Sequence, residues 1–165
     1  MADRDSFTAD EWTLLRVTPS FVAVGVAAAD ASGLFTSLKE TLAGVSEVAS
    51  AHVANPDLKL FAAFATDRSI PRLPEMDDFL GEGSKEAQLQ NFKAACLEQV
   101  RTAVALLATK ATAAETDAYR HLLVRVAERA ANASKEGGFL GLGGVRVSES
   151  ERAFIDSVRK SAGIQ

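Results

Sequence analysis

Cysteine is almost missing from this chain. Cys96 stands alone, so no intramolecular disulfide staples the fold, and its place on an apolar helical face marks a buried, inert thiol rather than a reactive one. Aromatic residues are few, at 7%, while an apolar fraction of 47% is made up largely of alanine. Close packing through small side chains favours helices over a sandwich or barrel. Positive charge is short too: 18 Lys and Arg against 22 Asp and Glu give a net charge of −4. That leaves no basic stripe to neutralise phosphates, which excludes nucleic acid as the expected partner. The longest uncharged stretch, residues 17–29, is too short to span a bilayer and holds Pro19, Ser20 and Gly25. The start, Met-Ala-Asp-Arg-Asp-Ser, is acidic where a secretory signal is basic, so a soluble cytoplasmic protein is expected.

Chemistry-bearing patterns are equally scarce. His52 and His121 are the only histidines, and neither is followed three or four residues later by a His, Cys or carboxylate, so no helical metal site is expected. His52 reads as a helix-end residue and His121 as a boundary residue. There is no Gly-x-Ser-x-Gly elbow, no Gly-Lys-Ser/Thr phosphate loop and no Glu-x-x-His pair. No cofactor and no catalytic residue is assigned, and the enzyme reading is the weaker one.

What is present is helix, punctuated by capping signals. Thr8 with Glu11, Thr112 with Glu115 and Ser148 with Glu151 each have the spacing of a capping box, and Ser84 is a further N-cap. Behind the first, Trp12, Leu15, Val22 and Val26 recur at helical spacing. Pro19 after Thr18 suggests two abutting helices, and the nearly all-apolar run from Phe21 marks a central one. Phe35, Leu38, Leu42 and Val45 form the face of a second helix, and Asn55-Pro56 begins a third with Leu60, Phe61 and Phe64 inward. Leu89, Phe92, Cys96, Val100, Ala103 and Leu107 predict a long fourth; Tyr119, Leu122, Leu123 and Val126 a fifth; Phe154, Ile155 and Val158 a sixth, ended by Gly163. No alternating run of strand length occurs. The expected fold is all-α, a compact single-domain bundle of about six helices over 1–165. Residues 67–83, with Pro71, Pro74, Gly81, Gly83 and several carboxylates, are expected to form a flexible acidic surface loop.

One stretch stands apart. Residues 137–147 contain Gly137, Gly138, Phe139, Leu140, Gly141, Leu142, Gly143 and Gly144, five glycines and three large apolar side chains between two helical segments. A flexible connector would use polar residues, so this loop is expected to fold onto something: the protein's own core, a ligand, a partner or, less favoured, a transient membrane contact. Self-packing is preferred, because an exposed Phe-Leu-x-Leu patch is an aggregation hazard. A faint internal echo pairs residues 28–35 with 130–140, each a helix end, a polar turn, a glycine and an apolar pair.

The run Gly144-Val145-Arg146-Val147-Ser148-Glu149-Ser150-Glu151-Arg152-Ala153-Phe154-Ile155 resembles the C-terminal helical motif of tellurite-resistance TerB-like domains, an all-helical bacterial group. Where that group carries an acidic residue beside the glycine, this chain has Gly143. The chain is also similar to small bacterial helical proteins ending in a Gly-Gly-Phe-Leu-Gly loop. The resemblance implies a helical, stress-related protein. The functional expectation is a non-enzymatic protein acting through a protein partner or self-association, with the glycine-rich loop and Asp30 as binding candidates. The alternative is a small-molecule or enzymatic pocket between helices using Asp30, His121 or Tyr119.

Overall fold

In the computed structural model, residues 1–29, 54–69, 77–133 and 147–164 are described. They form a short 3-10 turn at Arg4–Ser6 and six α-helices: α1 (Ala9–Ala27), α2 (Lys59–Thr66), α3 (Asp77–Leu80), α4 (Lys85–Lys110), α5 (Ala113–Ala133) and α6 (Glu149–Ala162). Among the described residues there is no strand. The expected second helix, with Phe35, Leu38 and His52, lies outside them.

The capping chemistry sets the helix starts. Thr8 Oγ1 accepts from Glu11 N at 3.2 Å while Glu11 returns a carboxylate to Thr8 N at 2.8 Å, and Ser148 and Glu151 repeat the exchange at 3.2 and 2.8 Å. Ser84 caps α4, and α6 stops at Gly163, whose φ of +74° is left-handed and suits glycine.

Four long helices alternate in direction. Cross-links between α1 and α4 run in opposite order, with Glu11 reaching Lys110 at one end and Phe21 stacking on Phe92 nearer the other. α5 is parallel to α1, since Ala2, ahead of α1, meets Glu115 and Leu15 meets Tyr119 further along both. α6 runs back, pairing Arg159 with Glu128 of α5 and placing Ser161 beside Arg101 of α4. Between them lie Leu15, Val22, Val26, Phe92, Cys96, Val100, Leu107, Leu122, Leu123 and Val158, all essentially without exposure. Trp12, Phe61 and Phe154 are buried as expected.

Pro19 does not split the first helix; α1 runs through it. A proline there lacks the N–H that would bond the carbonyl four residues back, at Leu15. Tyr119, fully buried on α5, donates its hydroxyl to that carbonyl at 2.7 Å and removes the orphan. Thr18, rather than capping a new helix, donates to Leu14 O at 2.7 Å. From Val17 to Ala23 every residue of α1 is buried, which makes it the central helix.

Gly25 explains how closely α1 is packed. A Cβ built on it would lie 2.6 Å from the Phe154 ring and 3.3 Å from Cys96 Sγ. Only a residue without a side chain lets α6 and α4 approach here. Cys96 itself has no exposure, and burial pushes its thiol up to about 12, so it is inert at neutral pH.

Two expectations need correcting. The third helix does not start at Asn55-Pro56: those residues make a turn in which Leu58 N donates to Asn55 O at 3.2 Å, and α2 begins at Lys59. Residues 67–83 are not loop throughout. Asp77–Leu80 is a helical turn whose Phe79 sits edge-on to Phe21, with ring centroids 5.3 Å apart, and the start of the tract is clamped at Asp67 and Ser69. Phe79 has an apolar ring to bury, and that outweighs the local breaker signals of Gly81 and Gly83.

Candidate functional site

All nine binding candidates, Asp30 and Gly137 to Gly144, lie outside the described residues. What is described is the frame that leads into them. α1 ends at Ala27, followed by buried Ala28 and Ala29; α5 ends at Ala133 with Ala131 buried; and Val147, packed on the core, leads into α6. Gly25 touches Phe154, five residues into α6, so the C-terminal end of α1 and the N-terminal end of α6 stand together. α5 is antiparallel to α6, since Arg159 pairs with Glu128 while Gly163, just past α6, lies by Arg120 nearer the start of α5, and this brings the C-terminal end of α5 to the same place. Three helix ends that lead into residues 30–53 and 134–146 therefore converge at one end of the bundle. The two helix ends of the internal echo, on the parallel α1 and α5, are both there.

The opposite end is closed by polar anchors that local sequence signals did not reveal. Glu115 is fully buried. It completes its own capping box, accepting from Thr112 N at 3.0 Å and Thr112 Oγ1 at 2.9 Å, while Thr112 Oγ1 accepts from Glu115 N at 3.2 Å. It also reaches across the fold, accepting from Leu60 N at 3.3 Å and from Ala2 N at 3.2 and 3.0 Å. Leu58 cannot cap α2 with its side chain, so Glu115 satisfies a free amide of that helix from outside. Burial raises the pKa of this carboxylate, but the hydrogen bonds from Thr112, Ala2 and Leu60 outweigh it and the net shift is downward. The Thr112/Glu115 spacing signalled the cap; nothing local to it signalled the two distant amides.

The second anchor joins α1 to the chain leaving α2. Trp12 Nε1 donates to Asp67 Oδ2 at 2.7 Å, and Arg16 Nη1 donates to the same oxygen at 3.0 Å. Arg16 Nη2 holds the carbonyls of Asp67 and Ser69 at 3.1 and 2.6 Å, and Ser69 N closes back on Asp67 Oδ1 at 2.9 Å. Hydrogen bonding with Ser69 and Trp12, helped by the Arg16 charge, holds the Asp67 carboxyl down to about 2 against the opposing effect of burial. Trp12 completes this end by packing between Phe7 and Phe64, with centroids 5.8 and 4.9 Å away.

Of the polar residues named for a pocket, Asp30 lies outside the described residues, and Tyr119 and His121 do not meet. Tyr119 is committed to Leu15 and has no exposure; burial raises its pKa. His121 is exposed on α5, 3.7 Å from Asp117, in an open depression bordered by Asn55, Pro56, Leu58 and Arg125. A second open depression, lined by Asp10, Thr13, Leu14, Val17, Phe79 and Ala95, runs between α1 and α4 and carries no reactive grouping. Among the described residues, no group of three or more His, Cys, Asp or Glu could hold a metal ion, and no helix is long and apolar enough to cross a membrane.

The chain matches no protein-family model, no curated protein and no solved structure.

Proposed function

We propose that this is a non-enzymatic, cytoplasmic helical protein that acts by binding a protein partner or a second copy of itself at the Gly25 end of the bundle. The observation that supports this most directly is the convergence of the helix ends that lead into residues 30–53 and 134–146. The opposite end is committed to internal hydrogen bonds through Glu115, Asp67 and Tyr119, which favours a binding role over a pocket chemistry. The net charge of −4 argues against nucleic acid. The likeness of the α6 cap region to TerB-like domains gives the role a stress-related setting.

Phe139→Ala tests the part played by the glycine-rich loop. If Phe139 is itself the recognition residue, the change leaves stability within about 0.5 kcal/mol and abolishes association, read by thermal melting and sedimentation; self-packing, the preferred reading of the loop, predicts the other outcome. A stability loss of roughly 3 to 5 kcal/mol with association unchanged would mean that the loop packs on its own bundle and that the contact lies elsewhere.

A further inference from the structure

Glu115 is a carboxylate with no exposure. Among the described residues no Lys, Arg or His pairs with it; the donors around it are the neutral amides of Ala2, Leu60 and Thr112 and the Thr112 hydroxyl. A buried charge is ordinarily compensated by an opposite one, because neutral donors only partly replace lost water. The donor that engages both of its oxygens is the nitrogen of Ala2, at 3.2 and 3.0 Å. Ala2 is 1% exposed, whereas the residue before it, Met1, is 66% exposed. The nitrogen facing the carboxylate thus sits where the chain passes from solvent into the core.

We propose that the Met1–Ala2 peptide bond is a processing site, and that Glu115 is the receptor for the α-ammonium that hydrolysis leaves on Ala2. A peptidase adds water across the bond: hydroxyl goes to the Met1 carbonyl carbon and a proton to the Ala2 nitrogen. Met1 departs as a carboxylate with anything joined to it, and the new amine takes up a further proton at neutral pH. The amide has one proton for two carboxylate oxygens. The ammonium has three, one for each oxygen and one for the space that Met1 vacates. Met1 and the Arg4–Ser6 turn carry no buried residue, whereas Ala2 and Phe7 are buried, so hydrolysis precedes the docking of these two residues. Once docked, the ion pair ties the N-terminal segment to α2 and α5 together. The charged side chains on these elements closest in sequence, Asp3, Arg4, Lys59 and Asp117, are exposed and leave the buried position to Glu115.

The test compares three forms of this sequence: one retaining Met1, one beginning at Ala2 released from a cleavable fusion, and one beginning at acetylated Ala2, which keeps the N–H and removes the charge. The Ala2 amine, followed by nitrogen NMR, is expected to titrate at least about one unit above the ordinary α-amino range of roughly 7.7 to 8.0, a tenfold preference for the charged form. Glu115→Gln is expected to return it to that range. A raised folded-state value means that the added stability is full below about pH 7.7 and fades as pH rises through the folded value. The Ala2-first chain is therefore expected to melt higher than both others at pH 7 and to lose that lead in alkali. Terminal sequencing of the protein from its own cells is expected to begin at Ala2. An amine that titrates in the ordinary range, equal melting of the free and acetylated chains, or a native chain that retains Met1 would overturn the proposal. The free-versus-acetylated comparison stands even if Glu115→Gln does not fold.

Discussion

Tyr119→Phe isolates the hydroxyl that compensates for Pro19, because it deletes one oxygen and leaves the ring's volume and packing in place. In the native chain the Tyr119 hydroxyl donates to Leu15 O at 2.7 Å, and no residue-19 N–H exists to replace it. Losing an ordinary hydrogen bond costs about 0.5 to 1.5 kcal/mol, but a buried carbonyl left unsatisfied costs about 1 to 3, and Leu15 has no exposure through which water could serve it. The larger figure therefore governs. Since 1 kcal/mol shifts melting by about 2 to 4 °C in a chain of this size, the expected fall is roughly 2 to 12 °C. Trp12, the only tryptophan, sits in the core near this end and reports unfolding by fluorescence in urea. The decisive comparison is the double-mutant cycle with Pro19→Ala. Alanine restores an N–H to the Leu15 carbonyl, so Tyr119→Phe in that background is expected to cost about 1 kcal/mol less than in the native one. Equal costs in both backgrounds, or a native-background effect within about 0.5 kcal/mol, would refute the compensation.

Asp67 is expected to shape the acid limb of the stability curve. Its folded pKa is depressed to about 2, so its contribution is complete above the unfolded value near 3.9 and is lost as pH falls between the two; Asp67→Asn should flatten this segment of a urea-midpoint profile. Gly25→Ala gains about 0.5 to 1 kcal/mol of helix propensity but forces a methyl against the Phe154 ring, typically about 1 to 3 kcal/mol of overpacking, so a net loss of up to about 2.5 kcal/mol is expected in thermal melting. Leu107→Ala, at a position with no exposure, is expected to cost about 2 to 5 kcal/mol in urea denaturation.

The sequence made the local features readable and left the long-range ones hidden. The Thr8, Thr112 and Ser148 boxes, the Gly163 stop and the inward faces of α4 and α5 follow from spacing within one or two turns, and the structure has them. Pro19 was ambiguous because Thr18 before it is a competent cap; what kept α1 whole is a hydroxyl about a hundred residues away, donated by Tyr119. Asp67 sat among breaker residues and looked like the start of a free loop, yet Trp12 and Arg16 claim it from α1. The spacing marked Glu115 only as the partner of Thr112 in a capping box, and the approach of Ala2 and Leu60 makes it a buried hub. In each case the deciding partner is distant in sequence, where periodicity and capping rules carry no information. Of the candidate site, the sequence marked the glycine-rich segment, and the structure adds the position of the helix ends beside it.

The binding claim is tested most directly by a photo-crosslinking amino acid placed at Leu140, in the segment that joins α5 to α6 in sequence, and separately at Asp117, exposed on α5 near the Glu115 end. Irradiated in the native cell, the Leu140 variant is expected to form discrete adducts of higher mass and the Asp117 variant none. Adducts at Asp117 alone, equal labelling at both positions, or no adduct at Leu140 would contradict the account.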